Sequence, residues 1–217
     1  VVEIGPGTGA LTSTLLEQAA TVIAIEFDRK LIEPLRQRFG ERDNFRLIEA
    51  DALEADICNL IKPATNTRLV ANLPYNISTA ILQRLIEQRC ITEMVLMLQK
   101  EVVERMTAGP ATPEYGRLTV MLQARFQVTR LFTVPAGAFR PAPKVDSAVV
   151  RLVPLGEAKP AIADAGLFGR VVAAAFGQRR KTMRNALSTL CDESMLEQAG
   201  VDPKTRAVKV FPLGNDA

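Results

Sequence analysis

Val1-Val2-Glu3-Ile4-Gly5-Pro6-Gly7-Thr8-Gly9-Ala10-Leu11-Thr12 reads as a short apolar strand that enters alternating glycines and then a helix. Leu11, Leu15 and Leu16 give that helix its expected apolar face. Glycine lets the backbone turn tightly and come close to a ligand, because no Cβ intervenes. The spacing is G-x-G-x-G rather than the G-x-G-x-x-G of dinucleotide binders, and the sequence has no G-x-x-x-x-G-K-[ST] phosphate loop. Taken alone, the run also suits a plain strand-to-helix turn.

The next apolar runs supply the rest. Thr21–Ile25 ends in Glu26, about twenty residues past the first glycine, where such folds place an acid to bind a ribose diol. Phe45–Glu49 leads to Asp51-Ala52, where a carboxylate can accept from the amino group of an adenine ring. Singly, either acid also fits a solvated loop or a helix N-cap. Thr67–Ala71 leads to Asn72-Leu73-Pro74-Tyr75, and a helix-compatible segment opens at Ser78. A polar amide, a freed carbonyl and an aromatic ring therefore meet at the C-terminal edge of a sheet, where open α/β folds bind ligands. The amide oxygen of Asn72 and the carbonyl of Leu73 can each accept one hydrogen of an exocyclic amine. Pro74 stiffens the turn without adding a donor, and Tyr75 offers a stacking face. An ordinary proline turn with a buried tyrosine is the alternative for this stretch alone.

Strands near 1–5, 21–26, 45–49, 67–72 and 92–98, alternating with helices, predict a parallel sheet covered on both faces. Strands one and four are expected side by side, where strand order reverses. Beyond the breaker-rich Ala108–Pro113, the pattern predicts a helix over Arg117–Arg125 and a strand over Phe126–Val134. A long loop, Pro135–Val145, and a last antiparallel strand, Ser147–Val153, follow. After a linker at Leu155–Pro160 the pattern is helical, most clearly over Val171–Phe176 and Lys181–Leu190.

The 217 residues are 47% hydrophobic and 24% charged, enough for a sizeable core in one domain with an appendage or in two small domains. No histidine is present, so zinc-hydrolase, Ser-His and Cys-His chemistries have no imidazole to use. Cys58, Cys90 and Cys191, widely spaced and odd in number, predict neither a disulfide framework nor a metal cluster. Net charge is only +3, but Ala165–Cys191 holds no acid while carrying Arg170, Arg179, Arg180, Lys181 and Arg184. On a helix, such a block reads as a phosphate-binding face, or as a solvated helix with distant counter-charges. No apolar run approaches the roughly 18–20 residues of a membrane span, and no signal peptide is evident, so a cytoplasmic protein is expected.

The chain resembles the small-subunit rRNA adenine dimethyltransferases, the kasugamycin-resistance methyltransferase family of bacteria, over nearly its whole length. The stretches that carry the likeness are VVEIGPGTGALT, IEFD, EADAL, VANLPYNIST, MLQKEVVERM, YGRLTVM, AFRPAPKVDSAVVRL and AFGQRRKTMRNAL. The last two are the most specific. The resemblance implies an α/β, Rossmann-like S-adenosylmethionine-dependent methyltransferase sheet over 1–154 and a small helical RNA-binding domain over 155–217. It implies a cofactor site at Glu3, Gly5, Gly7, Glu26, Asp51, Ala52 and Asn72. Asn72, Leu73, Pro74 and Tyr75 would hold the target adenine, and Phe139 would stack on its other face. Arg179, Arg180, Lys181 and Arg184 would bind RNA. The expected partners are small-subunit rRNA and the immature small ribosomal subunit, with the protein a monomer that needs no metal and no membrane. The family converts two adjacent adenosines near the 3′ end of small-subunit rRNA to dimethyladenosines.

Two departures from the family pattern stand out. Family members carry some tens of residues before the first strand, including a Gln-Asn-Phe-Leu motif over the methionine end of the cofactor. At the other end, Val208-Lys209-Val210-Phe211-Pro212 replaces the usual acidic start of a last helix. Both imply a truncated chain or an atypical tail, with weaker cofactor binding by the chain alone. A large-subunit rRNA adenine methyltransferase is the nearest rival, disfavoured by Leu73 and by the YGRL and FGQRRKT stretches. A non-catalytic RNA-binding assembly factor on the same fold is a rival of another class, disfavoured by the intact Glu26, Asp51, Asn72 and Tyr75.

Overall fold

Strands β1 (Val2–Ile4), β2 (Val22–Glu26), β3 (Phe45–Glu49), β4 (Thr67–Asn72) and β5 (Ile91–Gln99) are joined through α1 (Ala10–Gln18), α2 (Arg29–Phe39), α3 (Ile57–Leu60) and α4 (Ser78–Leu85). With β6 (Phe126–Val134) and β7 (Ser147–Pro154) they form one seven-stranded sheet in the order β3-β2-β1-β4-β5-β7-β6. The computed structural model describes residues 1–62, 66–74, 77–156, 160, 162–178 and 180–210. The first five strands pair in parallel and β7 runs antiparallel to β5, as the alternation of runs predicts. β1 lies between β2 and β4, with Ile4 opposite both Ile25 and Ala71. Strand order therefore reverses at β1, and the chain leaves β1 and β4 on diverging sides of one crevice.

β1 and β2 are buried along their whole length, which is why both read as unbroken apolar runs around an acid. Against them pack α1 and α2, where Leu16, Val22, Leu35 and Phe39 form one buried cluster. The α2 side is set by its cap: the Asp28 carboxylate accepts from the Lys30 N–H at 2.9 Å. Ile32, Leu35 and Phe39 then fall on one face at helical spacing. The buried face of α1 differs from the expected one. Thr12 and Leu16 are buried, whereas Leu11 is 39% exposed. The polar Thr12 goes inside because its hydroxyl finds a buried carboxylate there.

The cysteines also differ from expectation. Cys58 on α3 and Cys90, the residue before β5, are joined by a disulfide with Cα atoms 5.5 Å apart. Spacing of 32 residues hides this pairing. The crossover from β4 through α4 returns the chain to the same end of the sheet, where α3 waits. Cys191 is free.

The chain divides into two compact units, Val1–Lys100 with Thr129–Pro154, and Glu101–Val128 with Leu155–Ala217. Glu101–Val128, which the sequence assigns to 1–154, thus groups with the C-terminal helices. Helix α5 (Lys100–Thr107) follows β5 directly, and within the second unit α6 (Arg117–Gln123) and α7 (Ala165–Gly177) contribute to a cluster of Ala108, Tyr115, Val120 and Val172. The Tyr115 ring meets Phe176 edge-on at 5.7 Å, and its hydroxyl donates to the Val210 carbonyl at 3.0 Å. Burial pushes its pKa up to about 12. A second cluster joins α7, α8 (Met183–Leu187) and α9 (Glu193–Gln198) through Ala175, Met183, Leu187, Leu196 and Ala207. Among the described residues, no helix is long and apolar enough to cross a membrane.

Gly9, at φ +82°, is fixed by packing: a Cβ there would lie 2.3 Å from Cε2 of Phe39. Gly9→Ala is expected to cost about 2–4 kcal/mol, from left-handed strain plus overlap with a core ring. Urea unfolding measures it. The double change Gly9→Ala, Phe39→Leu should recover the overlap share only.

Candidate active site at the sheet edge

The C-terminal ends of β1, β2, β3 and β4 carry the residues that the sequence singles out. Glu26 ends β2 and is 7% exposed. Its Oε1 accepts from the N–H groups of Phe27 and Asp28, both at 2.9 Å, and its Oε2 accepts from the Gly7 N–H at 3.2 Å. The carbonyl of Glu26 accepts from Ala50 N–H at 3.0 Å, and Gly5 N–H donates to the Ile25 carbonyl at 2.9 Å. One residue thereby ties the glycine turn, the end of β2 and the turn after β3 together. A carboxylate offers about four lone-pair positions; three are used here, leaving one on Oε2 for a ligand donor.

Gly5 and Gly7 face open space. A Cβ on either would meet nothing within 4 Å, in contrast to Gly9. The turn therefore presents bare backbone beside a carboxylate, which fits a nucleoside whose hydroxyl groups donate to the acid. Asp51 turns the chain after β3: its Oδ1 accepts from Leu53 N–H at 2.8 Å, and its carbonyl from Glu54 and Ala55. Its Oδ2 is not used in that turn, and Ala52 beside it is buried. Phe27, to which the IEFD stretch gave no role, is 69% exposed directly after Glu26. An apolar ring left in solvent beside a polar crevice is a signal that burial alone reveals.

Glu3 lies deeper than a contact residue. It is 2% exposed, and the Thr12 hydroxyl donates to its Oε2 at 2.7 Å. This pair ties β1 to the first turn of α1 beneath the glycines. Burial pushes the Glu3 carboxyl up from its ordinary pKa, the Thr12 hydrogen bond pulls it down, and the Glu26 charge pushes it up again.

At the end of β4, Asn72 is exposed and Leu73 is buried. Asn72 pairs with Met97 of β5, and Leu73 N–H donates to the Met97 carbonyl at 3.2 Å, which extends the ladder one residue beyond the strand. The Pro74 carbonyl accepts from Ile77 N–H at 3.2 Å. No backbone N–H among the described residues donates to the Leu73 carbonyl. An amide and a carbonyl that accepts from no described backbone N–H therefore stand together at the edge where β1 ends. Tyr75 and Arg179 lie outside the described residues. Phe139 is half-buried in the loop between β6 and β7, which leaves the sheet at this same edge because β7 enters opposite the end of β5, Ser147 against Gln99. A cleft of about 940 Å³ opens at the opposite edge, around Val1, Thr21, Arg46, Lys62 and Arg68, and none of the site residues line it.

In the second unit, Arg180 and Lys181 are exposed in the turn between α7 and α8, not on a helix as the charge block suggests. Arg170 lies exposed on α7 and Arg184 on α8, so the block is divided between two helices and the turn that joins them. Arg184 is engaged by Glu193 at 3.2 Å. Lys204 and Arg206, absent from the sequence-based set, reach the same surface. Met183 N–H donates to the Thr205 carbonyl at 2.7 Å, Arg184 N–H to the Pro203 carbonyl at 3.0 Å, and Thr182 bridges Arg206. Lys204, Thr205, Arg206 and Lys209 line a depression of about 400 Å³ there. More than twenty residues of sequence separate these cations from Lys181, so only the bridge discloses them.

A family model described as ribosomal RNA adenine dimethylase matches residues 1–212. The ribosomal RNA small subunit methyltransferase A of Xanthomonas campestris pv. campestris (strain B100) is 53% identical over 208 residues, covering 95% of this chain and 79% of that protein. Among solved structures, a dimethyladenosine transferase from Plasmodium falciparum has a TM-score of 0.75 at 32% identity, covering 91% of this chain and 70% of the other. The 23S rRNA methyltransferase ErmE has a TM-score of 0.74 at 28% identity, covering 97% and 85%.

The Glu3 shift has a measurable sign. The folded state holds the Glu3 proton more tightly than the unfolded chain, whose value is the usual 4.5. Its contribution to stability therefore falls as pH rises from 4.5 through the raised value, then levels off. Glu3→Gln, which can still accept from Thr12, removes that slope. Urea unfolding across this range should show the variant gaining on the parent as pH rises.

Proposed function

The chain belongs to the ribosomal RNA adenine dimethylase family, and on that footing we propose that it transfers methyl groups from S-adenosylmethionine to two adjacent adenosines in the 3′-terminal hairpin of small-subunit rRNA. The observation that carries this reading is the placing of an exposed Asn72 and a Leu73 carbonyl, which accepts from no described backbone N–H, at the edge that holds the glycine turn and Glu26. S-adenosylmethionine, when bound, supplies a methyl group already activated on a sulfonium. Glu26 would accept from the ribose diol, the bare backbone of Gly5 and Gly7 would let the nucleoside approach, and Asp51 would accept from the adenine amino group. Phe27 and Ala52 would flank that base. Glu3 would act from beneath, by holding the turn.

The target nitrogen needs help because its lone pair is delocalised into the ring. Asn72 and Leu73, each accepting one of its hydrogens out of the ring plane, would turn nitrogen towards tetrahedral geometry and localise the pair. No residue has to remove a proton before attack, which suits a chain without histidine. After transfer the nitrogen is cationic and sheds its proton readily. Alignment of this kind can be worth roughly 7–11 kcal/mol. Extruding the base costs a few kcal/mol, offset by roughly 1–3 kcal/mol for each stacking face that Tyr75 and Phe139 provide. Lowering of the barrier thus rests on position and hydrogen-bond polarity.

Arg180, Lys181, Lys204 and Arg206 would hold RNA phosphates on the second unit, together with Arg179 and with Arg184 where it parts from Glu193. ErmE, whose name assigns it to 23S rRNA, keeps a large-subunit substrate as the second reading. The 53% identity to a small-subunit enzyme favours the first. Tritiated methyl transfer to under-methylated small subunits, with large subunits alongside, separates them.

Asn72→Ala is expected to lower methyl transfer by about a hundredfold to a thousandfold, on the scale of lost transition-state hydrogen bonding, while RNA still binds in a filter assay. Near-normal turnover by that variant would end the polarisation mechanism. For the basic surface, replacing Arg180, Lys181, Lys204 and Arg206 by alanine should flatten the log–log salt dependence of RNA binding by roughly 0.7–0.9 for each phosphate no longer neutralised. An unchanged slope would remove these side chains from the interface.

A further inference from the structure

The loop that carries Phe139 is held at its foot by one side chain. Asp146 Oδ1 accepts from the Ala136 N–H at 3.0 Å, closing the loop on itself across ten residues. The Asp146 carbonyl accepts from the Lys100 N–H, also at 3.0 Å, which fastens the foot just past the end of β5. Ala136 begins the 3-10 turn Ala136–Ala138, and its carbonyl in turn accepts from the Phe139 N–H at 3.2 Å. A hydrogen-bonded path therefore runs from β5 through Asp146 and Ala136 to the backbone of Phe139. The other side of the proposed adenine site is referenced to the same strand, because Asn72 pairs with Met97 and Leu73 N–H donates to its carbonyl.

We propose that Asp146 is a positioning residue for methyl transfer, which through Ala136 fixes the Phe139 ring against the adenine that Asn72 and Leu73 hold. The proposal rests on the stacking role given to Phe139 above. A charged acceptor suits the task. It satisfies a loop N–H more strongly than a neutral one, and the bond spans both limbs of the loop rather than one turn. Ring position, unlike ring identity, costs little to lose by local loosening, so such a loop needs a pin at its foot.

Asp146→Ala should lower kcat/KM for rRNA about tenfold, roughly one lost stacking face, with cofactor affinity unchanged. Asp146→Asn, whose amide oxygen can still accept from Ala136, should recover most of that loss. In a double-mutant cycle, Asp146→Ala should add less than about twofold to the effect of Phe139→Ala, because residues that act as a unit are not additive. The sequence has no tryptophan, so Phe139→Trp gives a single tryptophan at the ring position, which can be excited apart from the tyrosines. Adding Asp146→Ala to that variant should raise acrylamide quenching clearly above Phe139→Trp alone, and adding Asp146→Asn should not. A harmless Phe139→Ala would refute the stacking reading itself. A damaging Phe139→Ala beside a harmless Asp146→Ala, or effects that multiply, would refute the positioning role alone. Equal quenching in all three tryptophan variants would refute it too, whatever the activity of each.

Discussion

Glu26 receives backbone N–H groups from the glycine turn and from the start of the β2–α2 connection, while its own carbonyl receives the chain returning from β3. A carboxylate so placed cannot move without breaking several charge-assisted hydrogen bonds, each stronger than a neutral one. It therefore sets the relative position of the three strand ends that flank the crevice. Glu3 and Thr12 brace the turn from below. What is left for a ligand is small and defined: a remaining lone pair on Glu26, open space over Gly5 and Gly7, and an Asp51 oxygen that its own turn does not use.

The other half of the site is built on β5. Ladder pairing carries Asn72 and Leu73 beside Met97, and the antiparallel partner β7 begins opposite Gln99. The Asn72-Leu73 turn and the loop with Phe139 therefore take their positions from one central strand, buried at alternate residues. A rigid reference suits the proposed mechanism, because polarisation of a nitrogen by two acceptors depends on angle more than on charge.

Local pattern made much of this legible. The apolar runs marked the strands to within a residue or two: β1 and β2 are buried on both faces, and β4 and β5 still bury alternate residues. Glu26, Asp51 and Asn72 were singled out because each stands at or just past the end of such a run, whereas Glu3, inside β1, came only from the family likeness. Leu11 failed as a core position because a helix chooses its inner face by what it meets, and Thr12 meets Glu3. Phe27 was missed because an exposed ring and a buried one look alike in sequence.

Short-range spacing and side-chain type were enough to establish the order of strands and helices, a glycine turn followed by acids at successive strand ends, and a chemistry that works without imidazole. Neighbours across long separations were another matter, and folding in three dimensions had to choose them: Cys58 with Cys90, Lys204 and Arg206 with the Arg180–Lys181 turn, Asp146 with Ala136, and Glu101–Val128 with the C-terminal helices. Crossovers and bridges set these contacts through backbone pairing and buried area, and neither leaves a periodic trace in the residues that end up touching.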